Sequence, residues 1–193
     1  WLANEIFENL FEFYPTIEKA LGIQCFFPKE VVRLFDNIES QNDWLGRANT
    51  GLYAPYAEGE CFVKMDEAMV LNPFGGMKIQ YGGYVDTYVL QEAFRIYFLE
   101  KKVLVEVTTP VMPIHFKADE KVIWCTGYTK NKIDYFDNLP HLPVKGELLT
   151  VRIKTLELEA MVMGQGIFVV PLGNGLYKVG ATYNWDLTDL AIT

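Results

Sequence analysis

From Leu2 to Leu21 apolar residues recur every three or four positions, at Ile6, Leu10, Phe13, Ile17 and Leu21. Glu5, Glu8, Glu12 and Glu18 fall largely on other faces, so the spacing predicts an amphipathic helix. Gly22 suits its C-terminal end, and Pro15 should kink the helix or split it in two. At this spacing Phe7, Phe11, Phe13 and Tyr14 read as core packing rather than as a ligand cage. Glu30 to Phe35 is a short β-prone run with Arg33 at its centre. Asp36 to Arg47 then reads as a helix capped by Asn37 or Asp36, with Trp44 facing inward.

The middle of the chain is punctuated by turn residues. Gly51, Pro55 and Gly59 mark a loop, followed by short strand candidates at Cys61–Lys64 and Ala68–Leu71. After Asn72-Pro-Phe-Gly-Gly comes another strand candidate, Met77–Tyr81. Gly82-Gly-Tyr-Val-Asp then leads into a helix from Thr87 to Lys101, with Asp86 as its N-cap and Val89, Ala93, Ile96 and Tyr97 as its inner stripe. Past that helix the pattern changes to closely spaced strand-like runs at Val103–Thr108, Val111–Phe116 and Lys121–Thr126.

The stretch from Pro143 to Trp185 carries the strongest β signal. Glu147–Ile153, Ile167–Pro171 and Leu176–Thr182 are apolar runs of strand length. Gly173, Asn174 and Gly175 tolerate positive φ, so the last two runs should form a hairpin. Helices grouped mainly before strands predict an α+β fold with a mixed, largely antiparallel sheet and helices packed on it.

Composition narrows the function classes. The chain has 193 residues, half of them hydrophobic, which is enough for one good core or two small lobes. Its net charge of −8 argues against a general nucleic-acid binder, which needs a basic surface. Cys25, Cys61 and Cys125 are scattered and odd in number, so neither a disulfide framework nor a zinc site is expected, and a cytoplasmic setting is. Cys125, inside Val122-Ile-Trp-Cys, reads as a small buried hydrophobe. No apolar run approaches the roughly 20 residues that span a bilayer, and no signal peptide is visible. The chain opens at Trp1 and reads as a piece of something longer.

Self-contained chemistry is hard to find. His115 and His141 lie far apart, and no metal-ligand pattern includes them. Ser40 is the only serine, and no nucleophile elbow or Walker loop occurs. The frames Gly164-Gln-Gly166 and Gly173-Asn-Gly175 each precede a strand-like run. A dinucleotide fingerprint needs a helix there, so both are read as turns. Arg33 reads most simply as a surface or salt-bridged strand residue, with an anion-binding role in a cleft as the sharper alternative.

Gly83-Tyr-Val-Asp-Thr before a helix, KVIWCTGYT, PVKGELLTV and GIFVVPLGNGLYKVGATYNW, taken in order, resemble FAD-dependent oxidoreductases of the D-amino-acid oxidase and glycine oxidase type. The likeness extends over nearly the whole chain, without the family's N-terminal GxGxxG unit or its C-terminal arm. It implies that residues 1–101 and 136–193 form the substrate-binding domain, and that 102–135 is a remnant of the flavin-binding domain. It implies flavin contacts near Val105, Thr126 and Gly127, and a crossover beside the flavin ring at Lys145, Gly146 and Glu147. Tyr84, Tyr177, Tyr183, Trp185 and Arg33 become candidates for the substrate pocket.

The activity implied is oxidation of a small-molecule amine or amino acid, by hydride transfer from a carbon beside nitrogen to flavin N5. The cofactor carries the redox chemistry, and no obligatory acid or base is required. The partner implied is the missing flavin-binding domain of the same chain. Without the fingerprint loop this piece should hold FAD weakly or not at all, and should purify colourless. Two alternatives stand beside it. One is a non-catalytic binding module that kept the sheet. The other is a flavin enzyme acting on a modified RNA base, which the acidic charge disfavours.

Overall fold

The structure, a computed structural model, describes residues 3–51, 53–57, 65–66, 69–107, 119–125, 127, 139–140, 142–185 and 191–192. Helix α1 spans Ala3–Leu21 and runs unbroken through Pro15. A proline in that position removes one backbone donor, yet no split results. The Thr16 hydroxyl donates to the Glu12 carbonyl one turn back, at 2.8 Å.

The packed face of α1 differs from the stripe read in the sequence. Phe11 and Tyr14 meet Phe26 at ring-centroid distances of 5.3 and 5.0 Å, and Phe7 meets Tyr56 at 5.0 Å. Ile6 and Phe13, assigned to the core by periodicity, are exposed. Leu10, Ile17 and Leu21 of that stripe are half-buried, as are Phe7, Phe11 and Tyr14. Glu18, on the covered side, accepts from the backbone N–H of Cys25 at 2.6 Å and of Phe26 at 2.7 Å. Those bonds tie α1 to strand β1 (Phe26–Pro28) and hold the Glu18 carboxyl below its ordinary value.

Strand β2 (Val31–Leu34) follows, and then α2 (Ile38–Ala48), capped by the Asn37 side chain accepting from Ser40 N. Strand β3 (Gly76–Ile79) and β4 (Gly83–Val85) lead into α3 (Thr87–Glu100). The C-terminal part supplies β5 (Leu148–Arg152), β6 (Met161–Gly164), β7 (Ile167–Gly173) and β8 (Leu176–Gly180).

Among the described residues these strands make two sheets. Strands β1 and β4 pair alone, and the larger sheet runs β3-β2-β6-β7-β8-β5. The β2–β6 pair is parallel and every other neighbour pair in it is antiparallel. This is the mixed, largely antiparallel α+β arrangement expected. The predicted hairpin is β7–β8, with Asn174 at φ 53 and Gly175 at φ 70. The other frame, Gly164-Gln-Gly166, turns from β6 into β7 with Gln165 at φ 49. Strands β1, β4 and β6 were not anticipated. Two are three residues long, and Met-Val-Met-Gly in β6 lacks the alternation that signals a strand.

Register decides which residues share a face. On one face, Arg33 lies opposite Met77 and Met163, and Val31 opposite Ile79 and Met161. Helix α2 covers the β2–β3 end of that face, where Phe35, Ala48, Ala57 and Met77 form a core with Trp44 and Leu45. On the other face, Leu158, Val162 and Tyr177 form a second core with Leu34, Val151 and Val169. Gly76 permits the β2–β3 approach, because a Cβ there would stand 2.6 Å from the Arg33 carbonyl oxygen.

Several expectations fail outside the sheet. Met69–Leu71 is not a strand. Met69 and Val70 both donate to the Asp66 carbonyl and form a turn. Residues 103–107 and 121–125 are not strands either, because no ladder partner lies beside them among the described residues. Cys125 is exposed rather than buried. Cys61–Lys64, Val111–Phe116, His115 and His141 lie outside the described residues.

Candidate functional site

The two tyrosines singled out on the sheet side of the chain end up in opposite environments. Tyr177 is buried on the Leu158 face. Its hydroxyl donates to the Leu156 carbonyl and accepts from the Leu158 N–H at 3.4 Å. That is a structural tyrosine with both hydrogen-bonding roles filled. Tyr84, on β4, stacks on Phe27 with ring centroids 4.8 Å apart and planes 15° apart.

Tyr84 also lines a cavity of about 490 Å³ over the open half of the Arg33 face of the sheet. The cavity floor is Met161, Met163, Phe168, Val170 and Leu172, with Leu148 at one side. The rim is Tyr84, Asp86, Thr87, Tyr88 and Lys178. Burial first, and the nearby Asp86 carboxylate second, push the Tyr84 phenol above its ordinary value. An apolar floor with a few polar groups at the rim, at this volume, is the usual form of a small-molecule site.

Asp86 is less free than its position suggests. Its Oδ1 accepts from the N–H groups of Tyr88 and Val89, at 3.1 Å each. The carboxylate therefore occupies the N-terminus of α3 and closes it to a phosphate, which would meet a negative charge there. A second cavity, about 570 Å³, lies on the opposite face between Leu34, Val70, Leu156, Leu158 and Val169. Its polar rim is internally paired, with Gln165 N donating to Asp36 Oδ1 at 3.3 Å. It is an incompletely filled extension of the Tyr177 core.

The remaining candidates scatter. Arg33 shares the face of the Tyr84 cavity but lies under α2, its guanidinium 4.4 Å from the Trp44 ring centroid. Tyr183 and Trp185 follow the end of β8 and are about 70% and 68% exposed. Lys145 pairs in a bridge with Asn184, and its Nζ donates to Ala191 O and lies 3.8 Å from Glu147 Oε1. A Cβ on Gly146 would stand 3.2 Å from Thr182 O, so the close approach made there is to the chain's own backbone. Val105 is 80% exposed, and Gly127 adopts φ 64 with open space where a Cβ would stand. Thr126 lies outside the described residues.

Periodicity gave no reason to single out the cavity floor or Lys178. The available signal was alternation in Leu-Tyr-Lys-Val-Gly, which sends Tyr177 and Lys178 to opposite faces.

No protein-family model matches the chain. Among the solved structures that share its architecture, two are glycine oxidases. One is glycine oxidase from Geobacillus kaustophilus, with TM-score 0.73 and 18% identity, covering 97% of this chain and 56% of that one. The other is glycine oxidase from Bacillus cereus ATCC 14579, with TM-score 0.76 and 20% identity, covering 97% of this chain and 58% of that one. The fold is that of glycine oxidases. At these identities the likeness concerns the fold, and the chain spans a little over half the length of each glycine oxidase it matches. Among the described residues, no helix is long and apolar enough to cross a membrane.

Proposed function

We propose that this chain is the substrate-binding portion of an FAD-dependent oxidoreductase that oxidises a small amine or amino acid. The observation that carries the reading is the Tyr84 cavity, a pocket of small-molecule size set on the open sheet face of a glycine-oxidase fold. In such an enzyme the flavin, when bound, supplies the acceptor for hydride from the carbon beside nitrogen. This chain's own residues do the rest on the substrate side. The methionine and phenylalanine floor excludes water, and the Tyr84–Phe27 stack gives the rim a rigid aromatic edge.

The described residues do not fit the pyrophosphate of FAD. The N-terminus of α3 is already filled by the Asp86 carboxylate, and the sequence contains no GxGxxG loop. The reading therefore assigns the dinucleotide to a flavin-binding portion outside these residues.

The surface agrees with such a partner. Ile96, Tyr97, Phe98 and Leu99 at the end of α3 are exposed, as are Val103, Val105, Val107, Val122 and Ile123 after it. Bidentate bonds from Arg95 to Glu106, at 2.7 and 3.0 Å, hold the start of that segment against α3. Exposed apolar side chains in this number are in keeping with an interaction site, and residues 102–135 are proposed as part of the flavin-binding domain.

The test is the full gene product, purified and scanned for flavin absorbance, then mixed anaerobically with a panel of amino acids. A yellow protein bleached by one of them supports the reading. A colourless full-length product, or a flavin that no amine reduces, overturns it. The 193-residue chain by itself is expected to be colourless, and stoichiometric flavin in it would refute the separate seat for the dinucleotide.

A further inference from the structure

We propose that Phe7, Phe11, Tyr56 and Tyr81 form an aromatic box that takes a small alkylated ammonium cation, with Glu8 at its mouth. Together with Pro55 these side chains line a cavity of about 300 Å³ between α1 and the turns that carry the two tyrosines. No residue lining the Tyr84 cavity takes part, so the inference is independent of the flavin reading.

The box is assembled from three separate segments. Phe7 and Phe11 lie one turn apart on α1, so their rings share a face. Tyr56 and Tyr81 come from turns that are tied together, with Gln80 N donating to Tyr56 O at 2.8 Å and Ala57 bridging to Ile79. The rings meet as walls rather than as a stack. Tyr81 stands 81° from Phe11 at a centroid distance of 5.7 Å, and 79° from Tyr56 at 6.4 Å.

Two observations separate this cluster from ordinary core packing. Tyr81 is 53% exposed, which puts its ring at an opening and not inside a closed core. It also holds φ 60, a left-handed backbone angle that a bulky residue adopts only under constraint and that collects at ligand clamps. The chemistry of the opening is one-sided. Its lining presents ring faces, which carry negative potential, and one carboxylate, with no lysine or arginine among the described lining residues. Burial first, and the Glu8 carboxylate second, push the Tyr56 phenol above its ordinary value, which sets that charge beside the rings. An ammonium seated here meets the ring quadrupoles and the Glu8 carboxylate together, whereas an anion is repelled by both. Alkyl groups on the nitrogen suit the apolar walls better than N–H donors, which would need more acceptors than the box supplies.

The experiment uses the full gene product and two probes of one shape, choline and its uncharged isostere 3,3-dimethylbutan-1-ol. Saturation transfer to the trimethyl and tert-butyl protons follows each titration. Choline is expected to bind about tenfold more tightly, as a partly desolvated cation–π contact provides. Tyr81→Leu should abolish most of that preference, and Tyr81→Phe should keep it. Glu8→Gln should weaken choline about threefold and leave the alcohol unchanged, since Glu8 is exposed and its charge is screened. Circular dichroism checks that each variant folds, and Glu8→Gln, at an exposed helix position, decides the matter if Tyr81→Leu does not fold. Equal affinity for the two probes overturns the proposal, as does the absence of any choline signal. A choline preference that folded Tyr81→Leu leaves intact also overturns it, because the cation then sits elsewhere.

Discussion

Tyr177 and Lys178 are neighbours on one strand, and they belong to different parts of the molecule. The Tyr177 face carries a packed core, with a buried ring whose hydroxyl is held by Leu156 and Leu158, and a cavity of about 570 Å³ beside it whose polar rim is paired within the chain. On the Lys178 face the cover is partial: α2 reaches only the β2–β3 end, and the cavity below Tyr84 occupies the rest. One face of a sheet can be given over to stability while the other is kept available for a ligand. A one-residue step decides which role a side chain takes.

The contrast can be broken by substitution, and the largest effect belongs to the Tyr177 face. Tyr177→Ala should cost about 3–5 kcal/mol of unfolding free energy, as a buried aromatic deletion leaves a void and two unpaired backbone groups. Lys178→Met should stay within about 0.5 kcal/mol. Urea unfolding of both variants measures the difference, and equal losses would dissolve the distinction between the faces.

Next comes the tight approach at the sheet edge. Gly76→Ala places a methyl 2.6 Å from a backbone oxygen, so β2 and β3 must separate, at about 1–3 kcal/mol. Val105→Ser, in the exposed segment after α3, should change the stability of this chain by no more than about 0.5 kcal/mol. A larger loss at Val105 would mean that the segment is packed, and would weaken the case for a partner there.

Two smaller effects read out charge. Asp86→Asn keeps the cap on α3 and removes a negative charge from beside Tyr84. The Tyr84 phenol should then titrate lower, though still above its ordinary value, because burial is the larger cause. A pH titration followed by the tyrosine ¹³Cζ resonances checks this. Glu18 has a native pKa below its unfolded one. Its contribution to stability is therefore full above the ordinary carboxylate range and is lost as pH falls through that range to the depressed native value. Glu18→Gln should flatten the acid limb of a melting-temperature profile, and an unchanged limb would remove Glu18 from the account.

Legibility followed local information. The β7–β8 hairpin was readable because Gly173, Asn174 and Gly175 admit backbone angles that few residues adopt. The caps Asn37 and Asp86 were readable because a side-chain acceptor satisfies donors two or three residues away. The site was far less so. Tyr84 and Tyr177 are both aromatic residues in β runs, and nothing local separates the one at a cavity from the one in a core. Lys178 was not singled out at all, because a lysine alternating on a strand reads as solvent-facing until its neighbours are known. The exposure of Ile6 and Phe13 was likewise not legible, since the partners that cover Phe7, Phe11 and Tyr14, namely Tyr56 and Phe26, come from outside the helix.

By itself the sequence determined the α+β class, the three helices among the described residues, the strongest strands and the glycine turns, all set by contacts within a few residues along the chain. Only the tertiary structure decided the parallel β2–β6 pairing, the two faces of the sheet and the cavity between Tyr84 and Lys178. Those features depend on residues such as Val31 and Met161 meeting across more than a hundred positions. Local pattern carries no information about that pairing.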